Sequence, residues 1–346
     1  MPTVSVVIPT FNRAHLLQQT LDSVFSQTYK DYEVIVVDDG STDATADLIA
    51  AYRPEVCSLR QVNRGLNSAR NAAIERTRGR YIALLDSDDL WLPYTLELFV
   101  QLLERFPDSG FVYSNFYIFR DGSPLQPQGL STWHGGRSSP DSTFQTRYEF
   151  GQLGIPAPRD LRHGDFCVYQ GDIYLASLAE PQVLPSASLY RRDCAEGLHF
   201  TESDSTCGDW EFFARLSKRS GAVYADTEAA INRSHDDAVR LTRLPATIQL
   251  SRRINMINRV WRADGALMER MGFAVNDEQA RLLLQLARIQ LAEGADAEAR
   301  SSLNEAAELS PRFRNRERRL LSVASHIPGS GRVMRKLIRL VRHWAG

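Results

Sequence analysis

Residues 81–89 of this chain read YIALLDSDD: an apolar run that passes directly into an acidic turn. A short continuous apolar run suits a strand buried on both faces, as in a parallel sheet covered by helices. Such a strand cannot continue through Asp86, Ser87, Asp88 and Asp89, so the sheet is expected to end there. Ligands of open α/β sheets bind at the carboxyl ends of the strands. Carboxylates grouped at such an edge repel one another unless a cation sits among them, and Mg²⁺ or Mn²⁺ takes oxygen ligands. The plainer reading is a solvated acidic turn leading into a helix that begins near Pro93.

The same alternation runs through the residues upstream. Residues 4–8 predict a first strand, stopped by Pro9, and 13–27 place Leu16, Leu17, Leu21, Val24 and Phe25 at helical spacing. Residues 32–37 predict a second strand, closed by Asp38, Asp39 and Gly40, after which Ser41 or Thr42 is placed to cap a helix over 44–52. A third strand over 58–61 ends at Asn63, Arg64 and Gly65, and a helix over 67–78 is expected to stop at Gly79. Strands and helices alternating in this way predict a parallel sheet with helices on both faces. Each strand ends in a polar cluster (Thr10 and Asn12, Asp38 and Asp39, Asn63 and Arg64, Asp86 and Asp88), and in such a sheet all four emerge at one edge.

No G-x-G-x-x-G follows the first strand and no Walker motif is present, which argues against dinucleotide-dependent dehydrogenases and P-loop ATPases. The edge offers instead carboxylates able to hold a metal, with Arg64 and Arg70 nearby, a combination suited to a diphosphate. Asp39 is placed to accept hydrogen bonds from a base or a ribose hydroxyl.

Four blocks in order, VSVVIPTFNR (4–13), VVDDGSTD (36–43), NRGLNSARN (63–71) and LLDSDD (84–89), resemble the successive motifs of the family 2 glycosyltransferases. The resemblance covers residues 1–115. It implies an α/β fold of GT-A type, a mostly parallel sheet flanked by helices with a Rossmann-like nucleotide-binding half. It also implies transfer of a sugar from a nucleotide-diphosphate donor, with inversion at the anomeric carbon. By the same resemblance, donor binding falls to Pro9, Thr10, Asn12, Arg13, Asp39, Arg70, Asp86 and Ser87. Asp86 and Asp88 match the D-x-D motif that holds Mn²⁺ or Mg²⁺, with Asp88 the more direct ligand.

Farther along, 92–106 predict a helix and 110–119 an aromatic-rich strand. Residues 121–165 gather Pro, Gly and Ser without periodicity, and acceptor contacts are expected there. A short strand over 186–192 precedes CGDWEFFARL (207–216), an amphipathic helix opened by Asp209. An Asp in a first turn complements the helix dipole. The functional alternative makes Asp209 the general base that takes the proton of the acceptor hydroxyl. The family usually reads Glu-Asp-Trp here, with the Asp as base, whereas this chain reads Gly208-Asp209-Trp210. Beyond a strand over 221–225, His235 resembles a family histidine near the active site, either a third metal ligand, a contact to the diphosphate or an exposed loop residue.

The net charge of −1 conceals an asymmetry: from Arg312 onward ten Lys and Arg face only Glu317, a net +9 that leaves −10 for residues 1–311. Within 331–344, Val333, Leu337, Leu340, Val341 and Trp344 share one helical face among basic residues. That composition suits an anionic membrane surface, or docking on the acidic body. Cys57, Cys167, Cys194 and Cys207 form no metal-ligand spacing and read as reduced thiols. No secretory signal and no apolar run of about 20 residues is evident, so a cytoplasmic protein, peripheral at the inner face of the membrane, is expected. The expected organisation is a GT-A domain over 1–245, with donor half 1–115 and acceptor half 116–245, then a C-terminal α-helical extension over 246–346. Within that extension 279–309 resemble one tetratricopeptide-like helix pair.

The expected function is an inverting, divalent-metal-dependent transferase acting on a UDP-sugar and a glycan or lipid-linked acceptor in cell-surface polysaccharide synthesis, with no nucleic-acid partner. A nucleotidyltransferase would want a Gly-rich basic loop where Pro9 to Asn12 stand. A non-catalytic sugar-nucleotide scaffold is disfavoured by the presence of Asp86, Asp88 and Asp209 together.

Overall fold

The computed structural model describes residues 1–120, 122–134, 139–161, 164–204, 206–234, 244–311 and 321. Two compact units, Met1–Ala238 and Val239–Gly346, divide the chain.

The first unit begins with β1 (Val4–Thr10), α1 (Ala14–Phe25), β2 (Tyr32–Asp38), α2 (Thr45–Ala51), β3 (Val56–Arg60), α3 (Leu66–Ile74) and β4 (Tyr81–Leu84). β2 and β4 flank β1, β3 lies outside β2, and all four strands are parallel. Every residue of β1 and β4 is buried, so β4 reads as a continuous apolar run and β1 as one interrupted by Ser5, whose hydroxyl donates to Glu33. There follow β5 (Leu90–Trp91), α4 (Thr95–Arg105), β6 (Ser109–Arg120), the short helices α5 (Gly129–Trp133) and α6 (Pro140–Thr143), and β7 (Thr146–Glu149). β8 (Cys167–Gly171), α7 (Ala176–Ala179), β9 (Ser188–Arg191), α8 (Gly208–Arg219) and β10 (Gly221–Ser234) complete the unit. The sheet runs β3-β2-β1-β4-β9-β6-β10-β8-β7, with β5 paired to β10. β9 and β8 oppose their neighbours, and the other strands of that order point one way. The result is the mostly parallel, helix-flanked sheet that the sequence predicts.

Several expected boundaries move, each for a physical reason. α3 ends at Ile74, so Gly79 does not stop it. Gly79 instead lets the chain pass against β1, where a Cβ would lie 2.6 Å from the Ser5 nitrogen. Neither Ser41 nor Thr42 caps α2: the Ser41 hydroxyl accepts from the Asn12 N–H at 2.9 Å, and Asp43 accepts from the Thr45 N–H at 3.0 Å. α4 begins at Thr95 rather than at residue 92, because Leu90 and Trp91 pair with β10 as β5 and the Trp91 indole N–H donates to the Ser186 carbonyl at 2.6 Å. β10 continues to Ser234, past the expected residue 225, because register shifts at Ala225, Glu228 and Ala230 interrupt its alternation.

The acidic turn after β4 is not a solvated loop. Asp89 is 1% exposed and accepts from Ser186 Oγ at 2.6 Å, Asn232 Nδ2 at 3.1 Å and the Arg233 N–H at 3.0 Å. Burial, reinforced by Asp88 and Asp86, pushes its pKa well up. From the other side Thr20 of α1 donates to the carbonyls of Ser87 (3.0 Å) and Asp89 (2.9 Å), and the Arg233 guanidinium donates to the Asp88 carbonyl. The turn is thus clamped between α1, β10 and the segment preceding β9.

In the second unit α9 (Ala246–Ile257) runs into a π-helical turn (Asn258–Arg262) and is followed by α10 (Gly265–Glu293) and α11 (Asp296–Leu309). Asp264 caps α10, accepting from the Leu267 N–H, and Gly294 at φ 86° closes it in the left-handed region. The expected helix pair over 279–309 is present, with its first helix beginning earlier, at Gly265. No helix among the described residues is long and apolar enough to cross a membrane. The basic stretch 331–344 lies outside the described residues.

Asp89→Ala removes three buried hydrogen bonds and is expected to lower the melting temperature by roughly 5–15 °C. A shift under about 2 °C in thermal unfolding would show that the turn holds without its carboxylate.

Candidate active site

All four polar strand ends meet at the carboxyl edge of the sheet. Asp39 accepts from Gln61 Nε2 at 2.7 Å and from the N–H groups of Arg64 (2.9 Å) and Gly65 (2.8 Å), tying the end of β2 to the segment after β3. Three of about four acceptor positions on the carboxylate are thereby used. Asn12 sits at φ 52°, a region that Asn tolerates better than most residues, and its Oδ1 accepts from the Thr42 N–H at 2.8 Å. Thr10 is buried and its Oγ1 has no hydrogen-bond partner, while Pro9 is held in the β1–β2 ladder opposite Val37. A buried hydroxyl without a partner beside a carboxylate with capacity to spare can serve a polar heterocycle. Arg13 brings its Nε within 3.9 Å of Asp88, and Ser87 is buried at the foot of the same turn.

Arg70 is the centre of the arrangement. Its guanidinium is 1% exposed, donates to Asp86 Oδ1 at 2.7 Å and lies over the Phe200 ring, 5.2 Å from the centroid. Burial works against the charge, but Asp86, Asp209 and Asp88 outweigh it and raise the pKa. Asp209, in the first turn of α8, accepts from the Trp210 N–H at 2.8 Å. Burial raises its pKa, opposed chiefly by the Arg70 cation. Asp209 is not the cap residue of α8, a position that belongs to Cys207, but as a first-turn acid it also complements the helix dipole.

The face of α3 that carries Arg70 also fixes the segment bearing Asp209. Asn71 Nδ2 donates to the Phe200 carbonyl and its Oδ1 accepts from the Phe200 N–H, both at 2.9 Å. Asn67 Nδ2 donates to the carbonyls of Thr201 (2.8 Å) and Asp204 (2.9 Å). Asn67 also explains Gly208. A Cβ built at Gly208 would fall 2.0 Å from Asn67 Nδ2 and 2.8 Å from its Oδ1, so the asparagine occupies the space a side chain there would need. At the position where the resembled family carries Glu, the space beside Gly208 is filled by the Asn67 side chain from α3. On the opposite side Trp210 Nε1 donates to the Ser177 carbonyl of α7 at 2.6 Å.

Among the described residues no three His, Cys, Asp or Glu side chains converge as a closed metal site. Asp86 and Asp88, two residues apart on one turn, fit a hard cation that draws its remaining ligands from a substrate diphosphate and water. His235 lies outside the described residues.

The structure therefore brings Pro9, Thr10, Asn12, Arg13, Asp39, Arg70, Asp86, Ser87, Asp88 and Asp209 to one edge or its immediate support. Sequence reasoning missed Asn67, Asn71, Phe200, Asp89 and Arg233. Asn67 and Asn71 carried a signal, since polar residues four apart on the helix face that holds Arg70 have to find partners when buried. Phe200 and Arg233 carried none, as both come to the site from more than 100 residues away in sequence.

Residues 5–159 match the family described as glycosyl transferase family 2. The chain is 38% identical over 123 residues to UDP-Glc:alpha-D-GlcNAc-diphosphoundecaprenol beta-1,3-glucosyltransferase WfaP of Escherichia coli, covering 35% of this chain and 49% of that protein. It is 39% identical over 131 residues to the putative teichuronic acid biosynthesis glycosyltransferase TuaG of Bacillus subtilis, covering 36% and 51%. The chain thus spans about half the length of these curated relatives. S. aureus TarS 1-349 in complex with UDP-GlcNAc superposes with a TM-score of 0.62 at 16% identity, over 97% of this chain and 91% of that one. Mannosyltransferase PcManGT from Pyrobaculum calidifontis, in complex with GDP-Man and Mn2+, gives 0.54 at 20% identity, over 96% and 86%. At these identities the structural likeness is one of fold.

Gly208→Ala is expected to destabilise the protein by roughly 1–3 kcal/mol through overlap with Asn67. In an Asn67→Ala background the same change should be neutral or favourable by up to about 1 kcal/mol, since Ala outranks Gly in a helix. Additive effects in this double-mutant cycle would show that the two positions share no space.

Proposed function

On the premise that this chain carries a glycosyl transferase family 2 domain over residues 5–159, we propose that it is an inverting transferase. It moves a sugar from a UDP-sugar to a hydroxyl of a glycan or lipid-linked acceptor in cell-surface polysaccharide synthesis. The observation that carries the reading is the buried Arg70, with Asp86 and Asp209 as the leading charges acting on it. One carboxylate belongs to the donor edge and the other to α8, so a single cation links the places where donor and acceptor meet.

Pro9, Thr10, Asn12, Arg13 and Asp39 hold the nucleoside, and Arg70, Asp86 and Ser87 the diphosphate-sugar end. Asp209 takes the proton of the acceptor hydroxyl as its oxygen attacks the anomeric carbon from the side opposite the diphosphate. Arg70 stabilises the carboxylate form of Asp209, which burial alone would keep protonated at higher pH. Asp88 and Asp86, with His235 as a third candidate, would hold Mn²⁺ or Mg²⁺. Such an ion supplies Lewis-acid neutralisation of charge on the leaving diphosphate. The UDP-Glc in the name of the E. coli relative and the UDP-GlcNAc in the TarS complex support a uridine donor. The Mn2+ and the nucleotide-diphosphate sugar of the PcManGT complex support the metal and the diphosphate. The diphosphoundecaprenol in the relative's name supports a lipid-linked acceptor reached at the inner face of the membrane.

Asp88→Ala should abolish both turnover and the metal-dependent part of donor affinity without unfolding the protein. Donor affinity that still rises on adding Mn²⁺ would remove Asp88 from the metal site. Asp209→Asn should lower kcat by a factor on the order of 10²–10⁴. Its melting temperature at neutral pH should hold or rise, because a carboxylate whose folded pKa is raised loses stability as pH rises past its unfolded value. For the same reason the acid limb of kcat/KM should lie above about pH 4, the ordinary Asp value. A wild-type protein that binds UDP-sugars yet never hydrolyses or transfers them would instead be a non-catalytic binder.

Stretch 331–344 is proposed to hold the enzyme at anionic membrane. Sedimentation with anionic vesicles at low salt should pull down the full chain but not a chain ending at Ser330. Equal recovery of the two in the supernatant would refute it.

A further inference from the structure

A second cavity, of about 80 Å³, lies in the first unit. Tyr113 and Asn115 of β6, His134, Phe144, and Tyr224 and Asp226 of β10 contribute to its wall. Its height on the sheet follows from one aromatic contact. Phe111 of β6 packs on Phe213 of α8, ring centroids 5.7 Å apart. Tyr113 stands two residues farther along the same face of β6, an advance of about 6.6 Å toward the carboxyl edge. Asp209 stands four residues earlier on α8, an advance of about 6 Å in the same direction. Tyr113 and the start of α8 are therefore both displaced from that contact toward the carboxyl edge of the strands.

The lining has unfinished hydrogen bonding. Tyr113 is 1% exposed, and its hydroxyl has no hydrogen-bond partner. Burial pushes its pKa up, so it remains a neutral donor. Asp226 Oδ1 accepts from Tyr224 Oη at 2.9 Å and from Asn115 Nδ2 at 3.4 Å. Phe144 and Tyr224 stack with their planes 11° apart and form an apolar wall. Among the described lining residues there is no Lys or Arg and the one acid is Asp226, so those residues offer a phosphate or a uronate no partner. An aromatic wall with a few directed polar groups suits a hydroxyl-bearing ring. At on the order of 10–15 Å³ of such space per water, the cavity exceeds a single water and admits one edge of a pyranose.

We propose that this cavity is the subsite for one neutral sugar residue of the acceptor, with Tyr113 Oη donating to one of its hydroxyls and Phe144 and Tyr224 against its ring. The proposal rests on the transferase reading above and names the acceptor class for it. Tyr113→Phe is the decisive variant, because it removes a hydroxyl that makes no bond within the protein. Saturation-transfer NMR on the full chain, with methyl glycosides of glucose, galactose, mannose and N-acetylglucosamine as probes, should reveal binding of at least one. Tyr113→Phe should weaken that binding at least tenfold while leaving UDP affinity, measured by calorimetry, unchanged. Methyl glucuronide should bind more weakly than its neutral counterpart. The proposal is overturned if no neutral glycoside binds, if Tyr113→Phe binds as the wild type does, or if the glucuronide binds best. Loss of UDP binding in the wild type would refute the donor reading instead, and leave glycoside binding to be judged on its own.

Discussion

A guanidinium taken almost wholly out of water is tolerable only with carboxylates close at hand, and Arg70 imposes that condition on everything around it. Asp86 meets it directly, and Asp209 and Asp88 contribute through their charge. Phe200 covers the remaining face of the cation, and Asn71 holds Phe200 by both its backbone N–H and its carbonyl. The turn after β4, the middle of α3 and the start of α8 are therefore not three independent loops that chance to meet. Loss of the cation would leave carboxylates facing one another, and loss of Asp86, its direct partner, would leave a buried charge under-compensated. The raised proton affinity of Asp209 is the visible residue of this contest between burial and Arg70.

The part of the fold legible in the sequence is the part whose physics is local. β1, β2 and β4 announce themselves because strands covered on both faces need no polar residue until they end. Their ends announce the site, since Asp39, Asp86 and Asp88 have no reason to follow such runs unless the edge is used. α8 was readable from its amphipathic spacing, and Asp209 from its place in the first turn.

What could not be read depends on partners distant in the chain. Nothing adjacent to Asp89 shows that Ser186, Asn232 and Arg233 will surround it, so the least exposed acid of the turn was passed over in favour of its neighbours. Gly79 reads as a helix stop because glycine often is one, whereas its neighbour in space is Ser5. The packing of Asn67 against Gly208 is invisible until the two meet. The stretch between β6 and β9 yields only brief helices and strands, held by ring stacking such as Phe144 on Tyr224 rather than by any periodic pattern.

The two anchors on the segment that carries Asp209 have an evolutionary consequence. Asn67 and Asn71 tether it to α3 on one side, and Trp210 tethers it to α7 on the other. A position held from both sides cannot drift to suit a new substrate without dismantling the sheet edge beneath it. Diversification is therefore channelled into the stretch between β6 and α7, whose short elements can be rewritten without touching either anchor. Descendants of such a chain would inherit their chemistry unchanged and acquire their tastes piecemeal.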